Sequence, residues 1–239
     1  MSCIFVSKHM IRLSTSLAVT LTFAALANPA AADYIKVDIS SQFNADLRSS
    51  TGGTQYPIAP TTISVGGVPF DLEPLAETAD SLGIVSSSIG PYELVFPVNQ
   101  PDAIAVYTLI NSGFGTFGAN NGLVEAIGTG GAYASFDLIQ GTNIRDHFQN
   151  IFNNIVDPSI ESAIYGSVRL DRQVLMLPAS FQGQTLTEIR ITGTAGNPSG
   201  IPFVAAVTVG VPEPSALSLA ALGLLAVVAC ACRRSAVPL

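Results

Sequence analysis

Residues 62–72, TISVGGVPFDL, decide the class of fold for this chain. Two short runs of apolar and β-branched residues flank Gly66 and Gly67, which have no Cβ and so adopt the positive φ angles of a tight turn. The segment therefore predicts an antiparallel β-hairpin. Apolar and polar side chains also alternate over residues 34–40, YIKVDIS, as on a half-buried strand.

Seven further runs are short, rich in β-branched or aromatic residues, and separated by Gly, Pro, Asn or Ser: residues 92–98, 104–110, 123–127, 133–139, 168–177, 186–192 and 203–209. About nine or ten strands without long helices between them predict an all-β fold, an antiparallel β-sandwich that is jelly-roll-like. The composition fits one folded domain, because 48% of the 239 residues are apolar and only 11% are charged.

One segment has a different period. Apolar side chains between residues 144 and 155 recur at the spacing of one helix face, with Asn143 placed as an N-cap and Asp146 three residues later. The pattern predicts a single short helix that ends before Asp157 and Pro158.

The beginning of the chain has the order of a secretory signal peptide. Lys8 and Arg12 precede an apolar run at residues 13–27, and small residues follow up to Ala32. We expect residues 1–32 to be the signal peptide, with cleavage before Asp33. The alternative is a permanent N-terminal anchor, for which the apolar run is short.

The end of the chain has a second apolar segment. Residues 215–232 contain no charge, and Arg233 and Arg234 follow directly. As a helix these 18 residues would be about 27 Å long, just enough for a hydrocarbon core of about 30 Å. Because arginines at a membrane border favour the cytoplasmic side, a transmembrane helix here would leave residues 33–210 outside the cytoplasm.

Pro212, Glu213 and Pro214 stand immediately before this predicted span. Two prolines around one carboxylate neither continue a helix nor donate to a sheet, so we expect an extended, exposed segment. The motif, the apolar helix and the basic pair together resemble the PEP-CTERM sorting signal, here residues 211–239. The resemblance implies recognition and removal of the tail by an exosortase, a membrane-embedded transpeptidase, and the alternative is an ordinary C-terminal anchor.

The resemblance also implies where the protein acts. It would be exported, held in the membrane by the C-terminal helix before processing, and then located at the cell surface or outside the cell. Residues 33–210 in addition resemble the galactose-binding-like jelly roll of some PEP-CTERM proteins. The stretches that carry this likeness are residues 106–115, 140–147, 168–178 and 202–209. It implies a fold rather than a ligand.

The charge of residues 33–210 limits the possible binding partners, and their cysteine content limits covalent cross-links. Residues 33–210 contain sixteen acidic and six basic side chains, a net charge of −10, which repels a phosphate backbone and argues against nucleic acid. The same residues contain no cysteine, so no disulfide is expected there. Cys230 and Cys232 lie in the predicted span. We interpret them as small side chains that pack within an apolar helix, and the alternative is a lipidation or metal site.

The densest polar group of the predicted body is formed by Asn143, Arg145, Asp146 and His147. It is a candidate ligand-binding site, because a guanidinium and a carboxylate can hydrogen-bond sugar hydroxyls while His147 offers a flat ring. The alternative, which we favour, is that Arg145 and Asp146 close a loop or cap the predicted helix, while His147 packs on the apolar stripe of that helix. The charges at residues 169–172 are read as ordinary cross-strand pairs.

Residues 113–118, GFGTFG, contain the spacing of a dinucleotide-binding motif. The residues that follow, ANNG, read as a turn rather than as the start of a helix, so we interpret the segment as a glycine-rich connection between strands. No cofactor is predicted.

Catalysis has little support in the sequence. Residues 33–210 contain one histidine and no cysteine, so neither a Cys/His pair nor a multi-histidine metal site can be assembled. We predict no catalytic residues and no metal site. Three hypotheses remain: a non-catalytic structural or adhesive surface protein with polysaccharide as a possible partner, a carbohydrate-binding module that uses the cluster around Arg145, and a secreted glycosidase with two facing carboxylates.

Overall fold

The computed structural model describes residues 32–50, 52, 54–74, 82–84, 93–151, 157–194 and 200–213. Within them the chain forms twelve strands: β1 (Ala32–Val37), β2 (Thr61–Val65), β3 (Val68–Leu72), β4 (Gly83–Ile84), β5 (Glu93–Pro101), β6 (Ala105–Gly113), β7 (Asn120–Gly128), β8 (Tyr133–Ile139), β9 (Glu161–Tyr165), β10 (Val168–Met176), β11 (Thr185–Gly193) and β12 (Ile201–Pro212). The described residues also include one short helix, α1 (Leu47–Ser50), and 3-10 turns at Ser40–Gln42, Thr129–Gly131 and Ala179–Phe181.

The strands form three antiparallel sheets. The larger sheet has the order β1-β12-β6-β10-β9, with β4 also paired to β12, and the smaller has the order β5-β11-β7-β8. Strands β2 and β3 form a separate hairpin, in which Gly66 and Gly67 have φ angles of 56° and 79°. The predicted hairpin and the predicted class, an antiparallel β-sandwich, are confirmed, whereas the short strands β4 and β9 were not expected.

Two hydrophobic cores lie on opposite faces of the larger sheet. The inner core fills the space between the two large sheets and contains Phe96, Ile110 and Val204. The outer core lies between the larger sheet and the β2–β3 hairpin and contains Phe70 and Leu109. Strands β6 and β12 are therefore buried on both faces, which explains their nearly continuous apolar sequences.

The helix predicted from residue 144 is wrong for the part of it that the structure describes. Residues 144–148 run extended across the ends of two strands, with bridges from Asp146 to Ser112 and from Phe148 to Val168. The backbone hydrogen bonds of Arg145 and His147 go to β6 and β10 instead of to a helical turn, for example from the Ser112 N–H to the Arg145 carbonyl at 2.9 Å. Tertiary pairing has overridden the local period. Residues 152–156 lie outside the described residues.

Several predictions about the two ends fall on residues that are not described. Residues 1–31 of the predicted signal peptide, Pro214, the predicted span 215–232, Arg233 and Arg234 all belong to this group. In the part of the chain that is described, no helix combines the length and apolarity needed to cross a membrane. Strand β12 continues to Pro212, two residues beyond the boundary predicted for the body.

We predict that the hairpin is held by its buried aromatic ring. Phe70 is 0% exposed, so Phe70→Ala should lower the free energy of unfolding by about 3–5 kcal/mol, through lost burial and the cavity left behind. Ser64→Ala, on an exposed position of the same hairpin, is the matched control and should change it by less than about 0.5 kcal/mol. Urea unfolding measures both, and equal effects would contradict the assignment of Phe70 to a core.

Candidate functional site

A group of buried polar side chains lies at one end of the sandwich, where residues 140–151 cross the ends of β6 and β10. We call it the polar cluster, and it consists of Tyr56, Asn111, Arg145, Asp146, His147, Arg169 and Asp171. Buried polar groups need partners, so its geometry shows what these side chains are used for.

The Asp171 carboxylate is the centre of the polar cluster and is 1% exposed. Arg145 binds it through two hydrogen bonds, from Nε to Oδ2 at 2.7 Å and from Nη2 to Oδ1 at 3.1 Å. Asn111 donates to Oδ2 at 3.0 Å, Ser162 donates to Oδ1 at 2.5 Å, and Nε of Arg169 lies 3.8 Å from Oδ2. A buried carboxylate is tolerated here because its oxygens accept several hydrogen bonds, two of them from a guanidinium.

Asp146 links three parts of the chain. Its Oδ2 accepts the backbone N–H of Phe114 at 2.6 Å, and its Oδ1 accepts the N–H of Phe148 at 2.7 Å. Its carbonyl oxygen accepts two hydrogen bonds from the Arg169 guanidinium, at 2.7 and 3.1 Å. Both carboxylate oxygens are therefore used to hold backbone in place.

His147 is buried against aromatic rings, with ring centroids 4.1 Å from Phe148 and 5.5 Å from Phe203. Its Nδ1 lies 3.0 Å from the Tyr56 hydroxyl, which donates to the Arg169 carbonyl at 3.0 Å. Because that hydroxyl has one proton, the pair requires Nδ1 to carry the hydrogen. Burial lowers the pKa of His147, the Asp146 charge raises it, and the Arg169 charge lowers it further, with a net lowering.

The structure brings three of the four predicted ligand-binding residues into the polar cluster. Asn143 lies beside it, on the turn after β8, where Oδ1 accepts the Ile139 N–H at 2.8 Å and Nδ2 donates to the Asp137 carbonyl at 2.7 Å. Arg145, Asp146 and His147 are engaged inside the protein. These contacts favour the alternative of loop closure, and a ligand-binding role for the four residues stays a prediction.

The predicted cross-strand charge pair on β10 is confirmed for Arg172, whose Nη2 lies 3.6 Å from Oε1 of Glu161 on β9, whereas Asp171 pairs with Arg145, which is not in a strand. Arg169 and Arg172 are 4% and 8% exposed. Arg172 points to the opposite side of the sheet, where its Nη1 donates to the Gly66 carbonyl at 2.8 Å and its Nη2 to the Ser159 carbonyl at 3.1 Å. These two arginines thus connect β10 to the chain on both faces of the larger sheet.

Residues 113–118, which we call the aromatic loop, carry a feature that the sequence analysis missed. They connect β6 to β7, so the glycine-rich strand connection is confirmed. Phe114 and Phe117 are nevertheless 71% and 55% exposed. The available signal was two phenylalanines in a glycine-rich turn, where neither can alternate into a sheet face.

The opposite end of the sandwich holds the predicted sorting motif. Pro212 is the last residue of β12 and pairs with Ala32 of β1, and both Pro212 and Glu213 are exposed. The prediction that the motif is exposed is confirmed for these two residues. Pro212 is extended as the last paired residue of β12, where a proline needs no N–H for the ladder. A cleft of about 440 Å³ beside it is lined by Asp102, among other residues.

The fold and this end of the body define an all-β protein with a processing signal directly attached to its last strand. Residues 210–234 match the family model of the PEP-CTERM protein-sorting motif. The protein therefore carries a PEP-CTERM sorting domain, which implies export and processing by an exosortase. No curated protein matches the chain. Among the described residues, no group of three or more His, Cys, Asp and Glu side chains is arranged to hold a metal ion.

We predict that Asp171 is required for the fold. Asp171→Asn removes the charge that the Arg145 and Arg169 guanidiniums face, and should lower the free energy of unfolding by about 3–5 kcal/mol. Asp71→Asn is the matched control, because Asp71 pairs with Lys36 at the surface and should cost less than about 1 kcal/mol. Urea unfolding at neutral pH compares the two variants. Similar losses of unfolding free energy in the two variants would show that the buried pairing of Asp171 stabilises the fold no more than a surface ion pair does.

We also predict that stability falls with acidity through His147. Because the folded state lowers the pKa of His147, its stabilising contribution is complete above the ordinary value of 6.5 and declines as the pH falls below it. The slope can reach about 1.4 kcal/mol per pH unit for one proton. His147→Phe should remove this slope between pH 6.5 and 5. Unfolding free energies at these pH values measure it, and an unchanged slope in the variant would refute the assignment.

Proposed function

We propose that this is an exported surface or extracellular-matrix protein, sorted by an exosortase-type system, whose body has a structural or adhesive role without catalysis. The observation that carries the proposal is the family match at residues 210–234, in which Pro212 and Glu213 of the sorting motif are exposed at the end of a folded strand. An extended, exposed segment is the form in which a peptide can enter an enzyme's active site.

The charge of the body supports an extracellular role. Its net charge of −10 keeps it soluble and repels anionic polymers. The all-β architecture places twelve described strands in sheets with two cores, and we take the jelly-roll, galactose-binding-like topology as part of the proposal. Anchoring by a helix at residues 215–232 before processing, and removal of residues 1–32, belong to it as well.

A carbohydrate-binding module is the second candidate, because Phe114 and Phe117 expose aromatic rings that a sugar can cover. The third hypothesis, a secreted glycosidase, needs a pair of facing carboxylates in a cleft. The two carboxylates of the polar cluster, Asp146 and Asp171, both accept hydrogen bonds from protein donors, so they do not favour it.

The proposal predicts two cleavages and an extracytoplasmic location. In the native host, the intact mass of the exported protein should correspond to loss of the signal peptide and of the residues after the sorting motif. Glu213→Ala should reduce the processed fraction at least tenfold, since it removes the only charge of the Pro212-Glu213-Pro214 segment. Glu93→Ala, an exposed glutamate at the other end of the body, should be processed normally.

Cell fractionation and intact-mass measurement of the three forms test this. The proposal fails if the tagged protein stays in the cytoplasm, or if Glu213→Ala is processed like the unchanged protein.

A further inference from the structure

The aromatic loop lies at the far end of the body from the sorting motif. Gly113 pairs with Ile201 on β12, whereas Ala105 pairs with Gly210, next to the motif. Eight residues of β6 separate the two ends, about 26 Å at the rise of a strand. A body attached to a membrane through its sorting motif therefore presents the aromatic loop on the side away from the membrane.

The backbone of the aromatic loop is held in a conformation that a phenylalanine rarely adopts. Phe114 has a φ angle of 63°, in the left-handed region that favours glycine. Its N–H is bound by the Asp146 carboxylate at 2.6 Å, and its carbonyl accepts hydrogen bonds from Ser112 Oγ at 2.9 Å and from Gln140 Nε2 at 3.3 Å. Such strain persists only where the surroundings over-determine it, and it concentrates at functional positions.

The result of this strain is an exposed ring. The Phe114 side chain is 71% exposed, so it contributes little to either core. Phe117, 55% exposed, lies over Gly141, where a Cβ would come within 2.3 Å of its ring. Gly141 therefore leaves the space that the Phe117 ring occupies. Two fixed, exposed phenylalanines within one six-residue loop are more than scattered surface apolar residues.

The aromatic loop itself is uncharged, and exposed polar side chains follow it along the chain. Residues 113–122 contain no charged side chain, and Thr116 and Asn120 are exposed among them. Nδ2 of Asn120, two residues after the aromatic loop, donates to the exposed Asp137 carboxylate at 3.1 Å, so an amide and a carboxylate lie at the start of β7. Rings with nearby hydrogen-bonding groups suit a ligand that has both apolar faces and hydroxyls.

From this arrangement we infer that the aromatic loop is a binding site for neutral polysaccharide. This inference rests on the proposed role of the protein outside the cell. The C–H faces of sugar rings pack on the electron-rich faces of Phe114 and Phe117, while Asn120 and Asp137 hydrogen-bond hydroxyl groups. The acidic body disfavours anionic polymers, and the distance from the sorting end disfavours the membrane as the occupant.

The experiment uses the processed protein purified from the native host, in affinity electrophoresis through gels that contain dextran, laminarin, galactomannan or xyloglucan. At least one of these neutral polysaccharides should retard the protein. Phe114→Gly should weaken that binding at least tenfold while the melting temperature stays equal or rises, because glycine relieves the positive φ angle. Phe117→Ala should also weaken it, and Phe114→Tyr should retain it.

Met176→Ala is the matched control, since Met176 is 61% exposed and lies near the sorting end. It should bind like the unchanged protein. The inference is overturned if none of the four polysaccharides retards the protein or if Phe114→Gly binds normally. It is also overturned if the variant instead loses binding to phosphatidylcholine vesicles or loses self-association in light scattering. Export and tail removal are measured separately by intact mass, so a failure of binding leaves the proposed sorting intact.

Discussion

The buried Asp171 carboxylate is the interaction on which this end of the structure depends. A carboxylate taken out of water is expensive unless its oxygens are fully hydrogen-bonded, and here the donors come from three separate parts of the chain. Arg145 belongs to the segment after β8, Asn111 to β6, and Ser162 to β9. The carboxylate therefore fixes where residues 140–151 cross the sheet, a position that apolar packing alone would leave less specific.

The position of that segment in turn determines the shape of the loop above it. Asp146 stands one residue from Arg145, and its carboxylate reaches the backbone of Phe114. The conformational free energy that the positive φ angle of Phe114 costs is offset by hydrogen bonds to its N–H and to its carbonyl oxygen. A buried ion pair and an exposed aromatic ring are thus connected by one short chain of contacts.

Much of the fold was predictable from the sequence, and the exceptions have physical reasons. The period of two and the Gly66–Gly67 turn were enough for the hairpin and for the class of fold, because both depend on neighbours along the chain. The apolar spacing from Ile144 onward read as one helix face, but Ile144 packs in the inner core and Phe148 against the outer core. The charges of β10 were predicted to form cross-strand pairs, which holds for Arg172 and Glu161, but no local pattern reveals that Arg145 supplies the partner of Asp171.

The pairing of β1 with β12 determines where the two chain ends of the body lie. Because these strands are antiparallel and Ala32 is opposite Pro212, the chain enters and leaves the sheet at the same end. The proposed signal peptide and the proposed C-terminal span would therefore both join the body at this end of the sheet. The strand that ends in the sorting motif is also a central strand, buried on both faces. The proposed attachment would therefore run through a strand that is packed on both faces, and the aromatic loop would lie at the far end of that sheet.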